Sequence, residues 1–424
     1  MTSQKKLGWG LAALLVAGNM IGSGVYLLPS TLAPVGSSSL IGWIVASIGA
    51  LALAVMFAGL GRLRPQADGL TDYAGEGLGR FFGYQASLAY WAAGWVGNCA
   101  IAVAATGYLA YFFPALEGRW AGALSNVGLI CLMTLAYMGG ARIVARFGGA
   151  TLLIGLAPLL VAIIAGFAAF RPEVFSASWN PADVSLASSV PASLALIFWA
   201  FLGVESAGVL AARLKDPERD VGRATLGGVL LAAVVYIAAS VAVFGVIPAS
   251  DLATSTSPFA DLAGRVMGAA AAGFVAVCAI AKAMGTLGGW IMLTGETARS
   301  AARRGFLPGV FGAGERTPAS NPLIHAALMS LIAILSAQPN MADQFGLLIG
   351  MTTVLILVAY VLCALALMRF TSSWRWRLAA LISLGFCAWA VAASGVTLIW
   401  ITLGFFALTS VAWLFVRRSP ADAA

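Results

Sequence analysis

Two ionisable side chains lie deep inside apolar runs of this 424-residue sequence, where a charge is costly. Glu205 ends the segment Phe201–Glu205, and Lys282 lies within Cys278–Thr286. Burial favours the neutral form of both groups, so either could carry a proton. Glu205 could instead be the counter-charge of a cationic substrate, and the Lys282 ammonium could replace a bound metal cation. Structural roles stay open as well: backbone amides would satisfy Glu205, while backbone carbonyls or Glu205 would tether Lys282.

Glycines interrupt two of the apolar runs and would expose backbone polar groups in the membrane. Gly22-Ser23-Gly24 lies within the first run, and Gly203 lies two residues before Glu205. A broken helix presents free N–H groups at one new end and free C=O groups at the other. The amides of Ser23 and Gly24 would suit a carboxylate, and carbonyls near Trp199 and Leu202 would suit an ammonium. The two breaks therefore predict a site for an α-amino acid, although glycine also serves close helix packing.

Aromatic residues within the runs form a third set, away from the membrane interface where tryptophan is usually enriched. They are Tyr90, Trp91, Trp95, Trp199, Trp290 and Tyr360. Most aromatic residues inside helices only pack. Trp199 and Trp290 flank the predicted site, and their rings could stack on a substrate cation or cover it.

The elements that must position these residues follow from the composition. Sixty-one per cent of the residues are apolar and 9% are charged, which excludes a cytosolic enzyme or a secreted disulfide scaffold. Runs long enough to cross a bilayer, at roughly 20 residues each, predict an all-α polytopic membrane protein with twelve transmembrane helices. The runs lie at 8–33, 39–61, 81–113, 120–140, 148–170, 187–212, 224–247, 266–298, 322–337, 344–368, 376–395 and 397–416.

Basic residues fix the orientation of these spans. If the N-terminus is cytoplasmic, 20 of the 24 Lys and Arg residues fall inside, and only Arg119, Arg171 and Arg265 fall outside. Both termini are therefore expected in the cytoplasm.

The net charge of +8 is spread over short loops, so it indicates no nucleic-acid partner. The cysteines show no metal-ligand spacing, and the single histidine, His325, is expected at the membrane interface. We expect no metal, no cofactor and no enzymatic activity.

The two breaks are five spans apart, which is an odd number, so the second unit would enter the membrane from the opposite side. Interrupted helices at matching positions of inverted halves indicate the central site of a transporter. The sequence predicts a first repeat at 1–175 with spans 1–5, a second at 176–370 with spans 6–10, and spans 11–12 with a cytoplasmic tail at 371–424.

Several motifs resemble those of one family along nearly the whole chain. They are Gly18–Pro29, Tyr90–Asn98, Phe198–Ser206, Lys215–Arg219 and Leu287–Trp290. The chain resembles the basic amino acid/polyamine antiporters of the amino acid–polyamine–organocation superfamily. The resemblance implies the fold of the sodium-coupled leucine transporter type, with two inverted five-helix repeats and two further helices. It also implies a multi-pass protein of the bacterial inner membrane with amino acid or amine substrates and lipid around it; a homodimer stays open.

The resemblance assigns roles position by position. Substrate contacts are implied for Asn19, Ile21, Ser23, Gly24, Ala93, Asn98, Ile101, Trp199, Leu202, Trp290 and Thr352. Asn98 resembles a contact for the far end of the substrate, and Trp290 resembles a stacking residue. Gating or pH coupling is implied for Tyr90, Trp199, Glu205, Trp290 and Tyr360. Lys282 and Thr286 lie on the helix that helps to form the cation site of sodium-coupled relatives. The resemblance therefore implies that the Lys282 ammonium replaces the sodium ion and that transport is sodium-independent.

Departures from the family pattern concern the substrate. Ala200, Gly94 and Thr71 replace a serine, a cysteine and a tyrosine, and Lys282 replaces a glycine. A positive charge at Lys282 would disfavour a dication if it stood close to the site. The leading interpretation is an exchanger of basic amino acids and their amine products, such as arginine for agmatine, by alternating access. The alternative is a proton-coupled transporter of neutral or other amino acids that uses Lys282 or Glu205 as the proton carrier.

Overall fold

The computed structural model describes residues 8–67, 69–205, 217–312 and 317–416, and these residues form helices and connections without a β-strand. Nine helices of this described part are long and apolar enough to cross a membrane. In the numbering of the predicted spans they are span 2 (Ser39–Leu63), span 3 (Arg80–Ala110), span 4 (Arg119–Gly139), span 5 (Ala141–Ala168), span 7 (Pro217–Phe244), span 8 (Ala269–Arg303), span 10 (Met341–Phe370), span 11 (Trp374–Ala393) and span 12 (Val396–Trp413).

Three shorter apolar helices complete the predicted set of twelve. They are Trp9–Met20 of span 1, Leu186–Phe198 of span 6 and Ser320–Leu335, which is span 9. Two of the three are short because the helix is interrupted within the membrane. Four small helices in the connections are Leu70–Leu78, Pro172–Ala177, Ala249–Leu252 and Pro258–Met267.

Some helices extend beyond the apolar runs from which they were predicted. Span 5 begins at Ala141 rather than at 148, span 7 begins at Pro217 rather than at 224, and span 8 ends at Arg303 rather than at 298. The run marks where residues are apolar, but backbone hydrogen bonding of a helix continues into polar residues outside the hydrocarbon region. Such boundaries are therefore corrected by up to seven residues.

Span 1 is interrupted at its glycines. The first helix ends at Met20, Gly22 is extended with φ −87° and ψ −157°, and a 3-10 turn then covers Ser23–Tyr26. A short helix, Leu28–Thr31, completes the span. The helix axis therefore stops and restarts between Met20 and Ser23.

Span 6 is interrupted in a corresponding way. Its helix ends at Phe198, a 3-10 turn covers Trp199–Phe201, and Leu202 is extended. Gly203 has φ +101°, a backbone conformation that side chains with a Cβ avoid. The rest of span 6 lies outside the described residues, and so do Lys215 and Asp216 of the motif Lys215–Arg219. The boundaries of the two repeats, at 175 and 370, stay predictions.

Spans 3, 8 and 10 surround the two breaks. Span 3 packs against spans 8 and 10, and span 8 also packs against span 5. Span 3 is the most buried of the nine long helices, whereas span 12 is the least buried. Because span 12 exposes large apolar side chains such as Trp400 and Leu408, it is suited to face lipid. The interior helices, spans 3 and 10, are the ones that position the site.

Candidate functional site

A pocket lies between the two helix breaks. Its lining comprises Asn19, Met20, Gly22, Gly24, Ala93, Gly94, Gly97, Ile101, Trp199, Ala200, Leu202, Thr286, Trp290, Thr352 and Ile356. Spans 1, 3, 6, 8 and 10 all contribute. No lining residue carries a formal charge, so the polar groups are backbone amides and carbonyls, one amide side chain, threonine hydroxyls and indole rings.

The pocket contains most of the residues that the sequence predicts for substrate binding. These are Asn19, Gly24, Ala93, Ile101, Trp199, Leu202, Trp290 and Thr352. Ile21 and Asn98 are buried but do not line it, and the Ser23 side chain lies outside the described part. Thr286, predicted for a cation site, lines the same pocket.

Sequence reasoning did not assign Met20, Gly22, Gly94, Gly97, Ala200 and Ile356 to the pocket. For three of them, helical spacing from predicted pocket residues would have been the sequence signal. Gly94 and Gly97 share a face of span 3 with Ile101, and Ile356 lies one turn after Thr352.

The indole of Trp199 lies across the pocket between spans 1 and 3. A Cβ atom built on Gly24 would overlap the indole at Nε1, and one built on Gly97 would lie 3.0 Å from Cη2 of the same ring. Both positions therefore need glycine for the ring to fit. The indole N–H consequently stands beside the backbone that the sequence predicts to bind a carboxylate.

Some backbone groups of the second break already have partners. The Trp199 carbonyl accepts from the Leu202 N–H at 3.2 Å, and the Ala200 carbonyl accepts from the Tyr236 hydroxyl at 2.8 Å. A carbonyl oxygen has two lone pairs, so the Trp199 carbonyl can accept one further hydrogen bond. Tyr236 holds the turn in place from span 7.

Glu205 accepts hydrogen bonds from three different spans. The hydroxyl of Tyr90 on span 3 donates to one carboxylate oxygen at 3.1 Å, and the hydroxyl of Tyr360 on span 10 donates to the other at 2.5 Å. The backbone N–H of Gly203 donates to the second oxygen at 3.1 Å. We call the side chains of Glu205, Tyr90 and Tyr360 the Glu205 cluster. Its acceptor-only pattern suits an ionised carboxylate.

In the predicted topology, the Glu205 cluster lies on the cytoplasmic side of the pocket. Tyr90 precedes the pocket residue Ala93 by about one turn of span 3, toward the start of that helix at Arg80. Tyr360 follows Ile356 by about one turn, toward the end of span 10. The cluster joins spans 3, 6 and 10 on this side. Its role in gating stays a prediction.

Lys282 has very different surroundings. Its side chain is 7% exposed, and the aliphatic stem packs tightly against Gly155 of span 5. Its ammonium makes no hydrogen bond or ion pair with any residue that the structure describes. The tether to Glu205 that the sequence left open is therefore not formed in this conformation. Lys282 does not line the pocket, although Thr286, whose hydroxyl donates to the Lys282 carbonyl at 2.9 Å, does.

The single histidine, which the sequence predicts at the membrane interface, is buried within the protein with 1% exposure. Its Nε2 accepts from the indole N–H of Trp91 at 2.6 Å, and its Nδ1 lies 2.8 Å from the Asn321 carbonyl. Trp91 is thus part of a packed cluster with Phe311 rather than of the pocket. The sequence carries no local signal for this pairing because the two residues lie on different helices.

In the described chain, no three His, Cys, Asp or Glu residues lie close enough to hold a metal ion.

The connection between spans 7 and 8 packs on the second half of span 1. Phe259 is fully buried against the Tyr26 ring, at 6.0 Å between centroids. Arg265 pairs with Asp251 at 2.7 Å, and this hydrogen bond lowers the pKa of the Asp251 carboxyl. Burial raises the pKa of Asp261, although a hydrogen bond from Ser255 opposes the shift. This connection lies on the outer side in the predicted topology.

The sequence is similar to that of several known proteins. The sequence pattern of the amino acid permease family matches residues 7–421. The cadaverine/lysine antiporter of Escherichia coli K12 is 37% identical over 377 residues, which are 87% of this chain and 85% of that protein. The putrescine transporter PotE of Escherichia coli K12 is 31% identical, covering 85% and 83% of the two chains. PotE of Haemophilus influenzae is 30% identical, covering 85% and 84%. The all-helical structure and this match agree with a fold of the sodium-coupled leucine transporter type.

Proposed function

The chain belongs to the amino acid permease family, and on that premise we propose that it exchanges a basic amino acid for the corresponding amine. The relatives named above are transporters and not enzymes. Lysine and cadaverine are the first pair to consider, because the relative with 37% identity carries them in its name. Arginine and agmatine, the pair expected from the motifs, are the second. Exchange proceeds by alternating access to the pocket between the two breaks.

The observation that carries this proposal is an uncharged pocket built between two interrupted helices. The amides at the start of the Ser23–Tyr26 turn suit a carboxylate, and the remaining lone pair of the Trp199 carbonyl suits an α-ammonium. Trp290 and Trp199 offer aromatic faces on which a cationic chain end can rest. A decarboxylated amine lacks only the carboxylate, so it can use the rest of the same site.

Lys282 bears on the cation requirement. We propose that its ammonium, on the span 8 face that packs against span 5, takes the place of a metal cation, so that transport needs no sodium. Because Lys282 does not line the pocket, we expect its ammonium not to contact a bound diamine. Uptake should therefore be equal in sodium and in choline buffers, and a strict sodium requirement would contradict the proposal.

A second candidate function rests on the same lysine. A buried ammonium without a partner among the described residues is able to release a proton, which would fit proton-coupled transport of a neutral amino acid. Glu205 is the other proton carrier in this alternative, although its oxygens are occupied by three donors.

Counterflow into liposomes separates the two functions. Exchange predicts that labelled lysine or arginine enters only vesicles loaded with an amine, cadaverine or agmatine. Proton coupling predicts uptake into empty vesicles when a pH gradient is applied. Uptake that ignores the internal amine but follows the gradient would replace exchange by the alternative, and the preferred internal amine identifies the pair.

We also propose a bacterial inner-membrane location with both termini in the cytoplasm, on the distribution of basic residues. Reporter fusions to the two ends test the orientation. Fusions that are active only in the periplasm would contradict it.

A further inference from the structure

The side-chain amide of Asn98 is fully buried at the edge of the pocket. Asn98 follows Gly94 by four residues and precedes Ile101 by three, so it lies beside two pocket residues on span 3. Its Nδ2 atom lies 3.4 Å from Oγ1 of Thr294 on span 8. Its Oδ1 atom has no hydrogen-bond partner among the described residues. A buried carbonyl oxygen without a donor is costly.

Thr294 determines which end of that amide is free. The Thr294 hydroxyl has a single proton, and it donates this proton to the Trp290 carbonyl at 2.7 Å. Toward Asn98 the hydroxyl oxygen can therefore only accept, so the amide must turn its N–H toward Thr294. The Asn98 carbonyl oxygen is left as the unpartnered atom.

Gly94 leaves room for this arrangement. A Cβ atom at position 94 would lie 2.7 Å from the Thr294 hydroxyl oxygen, so a side chain there would push the hydroxyl out of place. Since Gly94 lines the pocket, no side chain at this position separates the pocket from the pair of Thr294 and Asn98.

We infer that Thr294 is a positioning residue for substrate selection, which holds Asn98 with its carbonyl oxygen free for the terminal ammonium of a basic amino acid or diamine. The inference rests on the proposed function, because it assigns the far end of the same pocket. An ammonium N–H satisfies the buried oxygen, whereas a methyl end leaves it unpaired. A site with an unpaired buried polar group rejects the analogue that lacks the hydrogen bond.

The test compares lysine with norleucine, which is lysine without its terminal amino group. Competition of each against labelled cadaverine is measured on the purified full-length chain. Thr294→Val keeps the shape and removes the hydroxyl, so the amide can turn. We expect lysine affinity to fall about tenfold or more while norleucine affinity stays unchanged. Thr294→Ser keeps the hydroxyl and should behave as the wild type.

Thr297→Val is the matched control. The Thr297 hydroxyl makes the same kind of bond within span 8, to the Leu293 carbonyl at 2.9 Å, but Thr297 lies on the exposed side of the helix. It should leave both affinities unchanged. Thr294→Ala serves as a second variant without the hydroxyl if the valine variant does not fold.

The outcomes separate this inference from the proposed function. Wild-type protein that does not prefer lysine over norleucine would overturn both. A wild-type preference that survives unchanged in Thr294→Val and Thr294→Ala would overturn the role of Thr294 alone. A parallel loss of both ligands in these variants would show general damage to the pocket and would also overturn it.

Discussion

Glu205 and Lys282 are both ionisable residues inside membrane spans, yet the chain surrounds them in opposite ways. Glu205 accepts three hydrogen bonds that join spans 3, 6 and 10. Lys282 makes no polar contact with its ammonium among the described residues, and its stem is wedged against Gly155. Loss of charge at Glu205 would loosen a connection between helices. Loss of charge at Lys282 would change the local field and leave every recorded hydrogen bond in place.

The largest effect is expected for Glu205→Gln. The glutamine amide nitrogen cannot accept from a tyrosine hydroxyl, so one bond of the Glu205 cluster is lost together with the charge. We expect exchange to slow about tenfold or more and its pH profile to flatten. Initial rates of counterflow across acid and neutral pH measure both. Glu76→Gln, which removes an exposed partner of Arg64, is the control; an unaltered profile in Glu205→Gln would exclude Glu205 as the titrating group.

Lys282→Met should have the next largest effect. The variant keeps an unbranched stem of similar length but has no ammonium, so a site suited to a cation becomes vacant. We expect transport in choline buffer to fall several-fold and added sodium to restore part of it. Rates in the two buffers measure this. Wild-type rates without sodium would mean that the charge has no role in transport.

Removal of single donors sharpens the comparison further. Tyr360→Phe and Tyr90→Phe each delete one hydrogen bond to the carboxylate, worth about 1.5–3 kcal/mol for a charged acceptor. Both hydroxyls donate to the same carboxylate, so each variant should slow exchange. Tyr84→Phe on the same span 3 removes a bond to the neutral Thr409 carbonyl and should change transport little. Equal effects of all three variants would show that the hydrogen bonds to Glu205 matter no more for transport than the bond to the Thr409 carbonyl.

An exposed ion pair gives the smallest expected effect. The Asp251 pKa is lowered by Arg265, so the pair contributes stability above the unfolded-state pKa and loses it as pH falls through the folded-state pKa. Because both side chains are more than 40% exposed, solvent screens the pair. Asp251→Asn should shift the thermal unfolding midpoint only slightly at neutral pH and not at all in acid. A large shift would show that exposed charges matter here as much as buried ones.

The sequence predicted the features that depend on local composition. Lengths of apolar runs predicted the twelve spans, and the helices of spans 1 and 6 end at Met20 and Phe198, shortly before the glycines Gly22 and Gly203. Helical spacing from Ala93 and Thr352 would have added Gly97 and Ile356 to the pocket.

Contacts between distant parts of the chain could not be obtained in this way. Glu205 meets Tyr90 and Tyr360 across 115 and 155 residues. The sequence marks the two tyrosines only as aromatic residues within spans, and the family resemblance alone relates them to Glu205. The pairing of Trp91 with His325 and the contact of Lys282 with Gly155 depend on how helices are arranged, for which apolar periodicity carries no information.

The indole of Trp199 occupies the space directly beside Gly24. A side chain at position 24 would have to displace that ring, because its Cβ atom would overlap Nε1. The place of a span 6 aromatic ring is therefore fixed from span 1, by a residue that has no side chain of its own.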